Sequence, residues 1–252
     1  MPDNATNDIT VENLHVQLGE TLVLDDVDLD VEHGKITTIM GPSGCGKSTL
    51  LKSILGMVSP IKGNIHILGR DVVRCEREEL SKFLTSVGVT FQHSALFGSE
   101  TVGENVAMPL REHTTYSEEI IQSIVRVKLA LVDLAHAAHR MPSELSGGMQ
   151  KRASIARALV MDPPILLFDE PSAGLDPITG RKLDDLILSL NQSLDCTIVV
   201  VTHEMHSAMR ISDDLVYLDG GKIQETGTPD TFRHSSNPAV QSFLRCSGIS
   251  VR

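Results

Sequence analysis

Lys35-Ile36-Thr37-Thr38-Ile39-Met40-Gly41-Pro42-Ser43-Gly44-Cys45-Gly46-Lys47-Ser48 is the stretch that decides the fold. Its first half is a β-branched run that reads as a buried strand, and it feeds directly into a glycine loop. Residues 47–57 then read as a helix. Strand, glycine loop and helix in that order make a phosphate cradle. The glycines let the backbone curl so that N–H groups point at an anion, at the positive end of a helix dipole. Lys47 adds charge near the outer phosphates, and Ser48 offers a hydroxyl to Mg²⁺. The expected phosphate-binding set is Gly41, Pro42, Ser43, Gly44, Cys45, Gly46, Lys47, Ser48 and Thr49.

Ile165-Leu166-Leu167-Phe168-Asp169-Glu170 supplies a second half to this site. An apolar strand ending in two carboxylates is expected beside the strand that feeds the glycine loop. Asp169 suits Mg²⁺, directly or through water. Glu170 is placed to orient and polarise an attacking water. A helix over 179–194 and the run Thr197–Thr202 follow, so this part is a β-α-β unit with parallel strands.

Farther out, 9–16 and 22–31 alternate like strands around the turn at Gly19-Glu20, and 63–68 and 87–91 read as two more. Residues 76–84 read as a helix, and 214–218 with 222–224 as a closing hairpin joined at Asp219-Gly220-Gly221. A helical tail is expected at 239–245. Between about 101 and 141 the pattern turns helical, with Ser117-Glu118-Glu119 as an acidic helix start. The apolar positions Ile120, Ile121, Ile124, Val125, Leu131 and Val132 follow it. Residues 93–160 therefore read as a helical insertion in a sheet-based domain.

Leu145-Ser146-Gly147-Gly148-Met149-Gln150 is a second anion-seeking feature. A hydroxyl and two glycines ahead of a helical run make a bare helix N-terminus with unpaired N–H groups.

The bulk properties narrow the function. The chain has 252 residues, 41% apolar, with a formal charge of −11, no Trp and 3% aromatics. That balance argues against a nucleic-acid partner, which needs a basic footprint and stacking rings. It argues equally against unaided docking on an anionic bilayer. No apolar run reaches the ~18 residues that span a membrane, and Met1–Asp8 is polar and acidic, unlike a signal peptide. A cytoplasmic chain is expected, held at a membrane by another subunit. Cys45, Cys75, Cys196 and Cys246 show no paired spacing and read as free thiols. His136 and His139, three apart on an expected helix, read as surface histidines because no third metal ligand stands near.

With these residues in hand, the chain resembles the ATP-binding-cassette (ABC) ATPases over nearly its whole length. Gln92 looks like that family's Q-loop glutamine, Leu145–Gln150 like its signature, Ser172-Ala173-Gly174-Leu175-Asp176 like its D-loop and His203 like its switch histidine. The resemblance implies an α/β fold: a P-loop NTPase of ABC type, with a RecA-like core, an N-terminal antiparallel β subdomain and an inserted α-helical subdomain. It divides the chain into 1–92 (β subdomain and first part of the core), 93–160 (helical subdomain), 161–235 (second part of the core) and 236–252 (tail). It implies ATP and Mg²⁺ as cofactors. It gives Lys47, Gln92, Glu170 and His203 catalytic work and Ser48, Gln92 and Asp169 the metal. Ser146, Gly147 and Gly148 would bind the γ-phosphate of ATP held by a second copy, with Asp176 linking the two sites. The family often has an aromatic where Leu18 stands, so the base would meet aliphatic groups such as Leu18 or Val16, and nucleotide selectivity is left open.

Within the family, Glu104–Thr114 and Met141-Pro142-Ser143-Glu144 resemble the ATPases of phospholipid transporters that carry MCE-domain subunits. That resemblance implies an ATPase homodimer on the cytoplasmic side of the inner membrane, held by permease subunits. An MCE-domain protein and a small STAS-domain protein would be further partners, and no nucleic acid. Arg111 and Glu112 are either a partner contact or an ordinary solvated helix end. An importer ATPase for polar amino acids or another small solute is the alternative reading. A soluble cassette protein acting on nucleic acid is a remote one.

Overall fold

The computed structural model describes residues 7–249, so six of the eight residues of Met1–Asp8 lie outside it, as does the end of the expected tail, residues 250–252. The elements run β1 (Asn7–Leu18), β2 (Thr21–Glu32), β3 (Ile36–Met40), α1 (Lys47–Ile54), β4 (Lys62–Ile67), β5 (Arg70–Asp71), α2 (Arg77–Phe83) and β6 (Val87–Thr90). They continue with α3 (Val102–His113), α4 (Glu118–Leu131), α5 (Gly147–Ala158), β7 (Ile165–Asp169), α6 (Pro177–Leu194) and β8 (Thr197–Thr202). The last are α7 (Met205–Ile211), β9 (Asp214–Asp219), β10 (Lys222–Gly227), α8 (Pro229–Arg233) and α9 (Pro238–Cys246).

Two sheets result. The first, β2-β1-β4-β5, is antiparallel. The second, β10-β9-β3-β8-β7-β6, is parallel except for the β9–β10 hairpin. The central strands β3, β7 and β8 are buried at every residue. Burial on both faces is why they are continuous β-branched and leucine runs rather than alternating ones. Their side chains nevertheless divide by the strand period of two. Ile36, Leu166, Phe168, Ile198 and Val200 face the core formed with α3, α4, α5 and α6. Ile39, Leu167, Val199 and Val201 face the antiparallel sheet and α1, together with Leu218 of β9. A third cluster packs Met40, Leu215 and Tyr217 against α7, α8 and α9.

Several expectations are corrected. The carboxylate-bearing strand β7 is not the neighbour of β3, because β8 lies between them. On α4 the buried stripe is Ile121, Val125 and Leu129, while Ile120 and Leu131 face outward. His136 lies in a short 3₁₀ turn over Ala135–Ala137 and His139 beyond it, not on an α-helix, and both are exposed. The elements β5, α7 and α8 are additional to those expected.

Candidate functional site

The glycine loop closes against the hairpin. A Cβ on Gly41 would stand 2.0 Å from Leu218 O and 2.9 Å from Cys45 Sγ, so no other residue fits there. Gly46 caps α1 in a left-handed conformation, φ 111°, and makes no side-chain cap, which leaves the first-turn N–H groups of α1 free for an anion. Lys47 is 7% exposed, and its ammonium donates to Gly41 O at 2.8 Å and Pro42 O at 2.9 Å. The lysine thus lies folded along the loop it charges. Burial pushes the Cys45 thiol up, against the opposing pull of Lys47, so the loop cysteine is a poor nucleophile.

Across the loop, Ser48 Oγ donates to Asp169 Oδ1 at 3.1 Å. Burial raises the Asp169 carboxyl above its ordinary value, and the Ser48 hydrogen bond opposes this. A hydroxyl and a carboxylate side by side are hard oxygen donors, which fits Mg²⁺ with its remaining positions taken by water and phosphate. Asp169 reaches Ser48 past the end of β8, the strand that lies between β7 and β3.

Glu170 follows at φ 50°, a left-handed conformation that turns the chain off the strand end. Such a backbone is uncommon outside glycine and persists only when its surroundings hold it. The holders are visible. The Glu170 N–H donates to Val201 O at 2.8 Å, and its carboxylate accepts from Thr202 Oγ1 at 3.2 Å. His203 Nδ1 lies 2.8 Å from Glu170 Oε1. Glu170 is 8% exposed, and the His203 side chain is 46% exposed.

A cleft of about 300 Å³ is lined by Ser43, Lys47, Ser48, Gln92, Glu170 and His203, among others. Motifs up to about 160 residues apart in sequence therefore share one concavity. Val23 also lines it, a residue the sequence reading did not single out. Val16 is fully buried in the core, so it is not available to a base, whereas Leu18 is 46% exposed. The alternation along β1 and β2 carries a signal for Val23, but only the packing of β2 onto the loop makes it readable.

Ser146, Gly147 and Gly148 open α5 elsewhere. The helix end is not bare: Ser146 Oγ accepts from Met149 N at 3.4 Å. Gly148 is buried, and a Cβ there would meet Thr179 Cγ2 at 2.5 Å, so this glycine is fixed by the approach of α5 to α6. Gly147 is open to solvent. The groove beside this end is lined by Ser146, Gly148, Arg152, Thr179 and Lys182, and it shares no residue with the Lys47 cleft. Asp176 caps α6, its Oδ1 accepting from Ile178 N and Thr179 N at 3.0 Å each. The Thr179 hydrogen bonds hold its carboxyl below the ordinary range.

One residue the sequence reading missed joins these parts. Lys151, on α5, donates to Gln92 O at 2.5 Å and Glu170 O at 3.1 Å. In the string Glu104–Thr114, Asn105 is fully buried and clasps the loop before α3 through Phe97 N, Phe97 O, Glu100 O and Thr101 O. Arg111 pairs with Glu104 and Glu118 of its own chain, and Glu112 is exposed.

Comparison with known proteins adds the following. The family model described as ABC transporter matches residues 24–173. The Haemophilus influenzae protein named intermembrane phospholipid transport system ATP-binding protein MlaF is 42% identical over 95% of this chain and 90% of its own length. A Mycobacterium leprae protein, named probable ribonucleotide transport ATP-binding protein mkl, is 42% identical over 94% of this chain and 68% of its own length. Among solved structures, the dimeric post-hydrolysis state of the ATP-binding cassette MJ0796, bound to ADP and Pi, superposes with a TM-score of 0.81. It has 33% identity over 88% of this chain and 98% of that one.

Proposed function

The chain belongs to the ABC transporter family and is an ATP-hydrolysing cassette; from that premise we propose that two copies clamp two ATP and drive phospholipid transport through a membrane permease. The observation that carries the clamp is the separation of the two anion-seeking helix ends. Lys47 and the Ser146–Gly148 end line different clefts of one copy, so a single nucleotide meets both only when a second copy supplies one of them. Head-to-tail packing with two-fold symmetry satisfies both sites at once. The dimeric neighbour bound to ADP and Pi supports this reading.

In this scheme the glycine loop and the N-terminus of α1 hold the phosphates, with Lys47 turning from Gly41 O and Pro42 O toward them. Ser48 and Asp169 would hold Mg²⁺, which would supply charge neutralisation at the outer phosphates. Glu170 Oε2 or Oε1 accepts a proton from the attacking water. His203, bonded to the same carboxylate, keeps it aimed, and Gln92 completes the rim. Asp176 sets the start of α6 where the other copy's site closes. Closure draws the α3–α5 regions together, and hydrolysis releases them.

The cargo reading rests on the identity to the MlaF protein over nine-tenths of both chains. On this reading the ATPase works at the inner membrane, with permease, MCE-domain and STAS-domain partners, in maintaining outer-membrane lipid asymmetry. The mkl relative, similar to the same degree, favours a second reading with ribonucleotide cargo. The membrane subunits that co-purify with the chain separate them. An MCE-domain protein, with ATP-dependent phospholipid transfer in reconstituted vesicles, is the expected result. A solute-binding protein with ribonucleotide or amino-acid uptake would overturn the lipid reading.

A further inference from the structure

Lys151 stands five residues beyond Ser146, about 7.5 Å along the same helix. It is 7% exposed. Burial lowers its ammonium below the ordinary lysine range, and attraction to Asp169 and Glu170 opposes that. An apolar residue of similar volume would fill this position at less cost in desolvation. The charge is nonetheless there, and it is spent on two backbone carbonyls that belong to different segments of the hydrolytic site. One is Gln92 O and the other Glu170 O, 59 and 19 residues away in sequence.

Both segments carry left-handed residues that are not glycine: Glu170 at φ 50°, and Ser94 and Ala95 at φ 58° and 48°. Backbone of this kind springs back unless it is held. The same helix holds the second segment again through Arg157, whose guanidinium donates to Ala95 O at 2.7 Å and Ser94 O at 3.0 Å. Helix α5 therefore carries the nucleotide-capturing end at its start and, farther along, the cations that fix the backbone of both Gln92 and Glu170.

We infer that Lys151 is a positioning residue: capture of the partner copy's nucleotide by Ser146–Gly148 moves α5, and Lys151 transmits that movement to Gln92 and Glu170 of its own copy. The inference rests on the two-copy clamp proposed above. One copy's engagement at one site thereby sets the hydrolytic geometry of the other site.

The test compares Lys151→Met, of similar length and without charge, with Lys151→Arg, in the full chain bound to its membrane subunits. Lys151→Met is expected to lower kcat about 10-fold, the order of a transmitted coupling, with the Kd for ATP within about 3-fold, because the cation touches no phosphate. Lys151→Arg, which can donate to both carbonyls, restores most of the rate. Hydrogen exchange is the second readout: peptides covering 92–97 and 170–173 exchange faster in Lys151→Met, and those covering α1 do not. A kcat within about 2-fold of the parent, or unchanged exchange at both segments, overturns the inference. Should Lys151→Met fail to fold, Lys151→Gln, which keeps a donor but no charge, is held to the same outcomes. Glu170→Gln is measured in parallel. Normal turnover there sinks the role of Glu170 itself, whereas a dead Glu170→Gln beside a normal Lys151→Met sinks only the role of Lys151.

Discussion

The proposed mechanism concentrates the chemistry in one side chain, Glu170. Its carboxylate is buried, lies in a strained backbone, and is held by Thr202 and His203. Glutamine has nearly the same shape and fits the same holders, but it cannot accept a proton from water. Glu170→Gln is therefore expected to bind ATP with unchanged affinity and to lose ~10²–10⁴-fold in hydrolysis rate. Turnover near the parent's, measured as phosphate release, would contradict the assignment. The placement of this residue, like that of Lys47, Ser48 and Asp169, was legible in the sequence because contiguous motifs mark the strand ends and the glycine loop. Lys151 was not. It acts on backbone carbonyls brought close only by the fold, and nothing in its own neighbourhood announces them. Gly148 was legible as a motif residue but for an incomplete reason, since its contact with Thr179 exists only once α5 meets α6.

At the scale of elements, the central strands announced themselves as apolar β-branched runs, and the phosphate-loop helix by its glycines. The short pieces β5, α7 and α8 carry too few residues for a period to show. On α4, adjacent isoleucines at 120 and 121 left the stripe undetermined by one position, and packing against α3 and α5 chose Ile121. Within its own chain Arg111 joins α3 to α4, engaged by Glu104 and Glu118. The Arg111 guanidinium holds the Glu118 carboxyl down to about 2. A depressed carboxyl contributes stability above its unfolded value, about 4.3, and loses that contribution as pH falls toward 2. Arg111→Gln should accordingly be less stable than the parent near neutral pH, with the difference shrinking as pH is lowered through that window. Urea midpoints at a series of pH values measure it. A difference that is constant with pH would show that the clasp contributes through packing and not through charge.

For the whole molecule, the decisive fact is that one sheet divides two cores while the nucleotide machinery divides into two clefts. The six-stranded sheet carries Asp169 and Glu170 at the end of one strand, and the glycine loop at the end of another with β8 between them. The residues proposed for hydrolysis are thereby brought together within one copy. The end proposed to capture the partner's nucleotide, at the start of α5, opens into a separate groove. The order of motifs along the chain carries the family and the chemistry, but not which cleft each motif enters. The account stands or falls on whether ATP is shared between copies. The direct measurement co-expresses a Lys47→Ala copy and a Ser146→Arg copy under different tags and purifies the mixed transporter. In the mixed pair, one composite site keeps an intact Lys47 from the second copy and an intact Ser146 from the first. The account predicts that each variant alone is inactive and that the mixed complex hydrolyses ATP. A mixed complex as inactive as the two variants alone would contradict it.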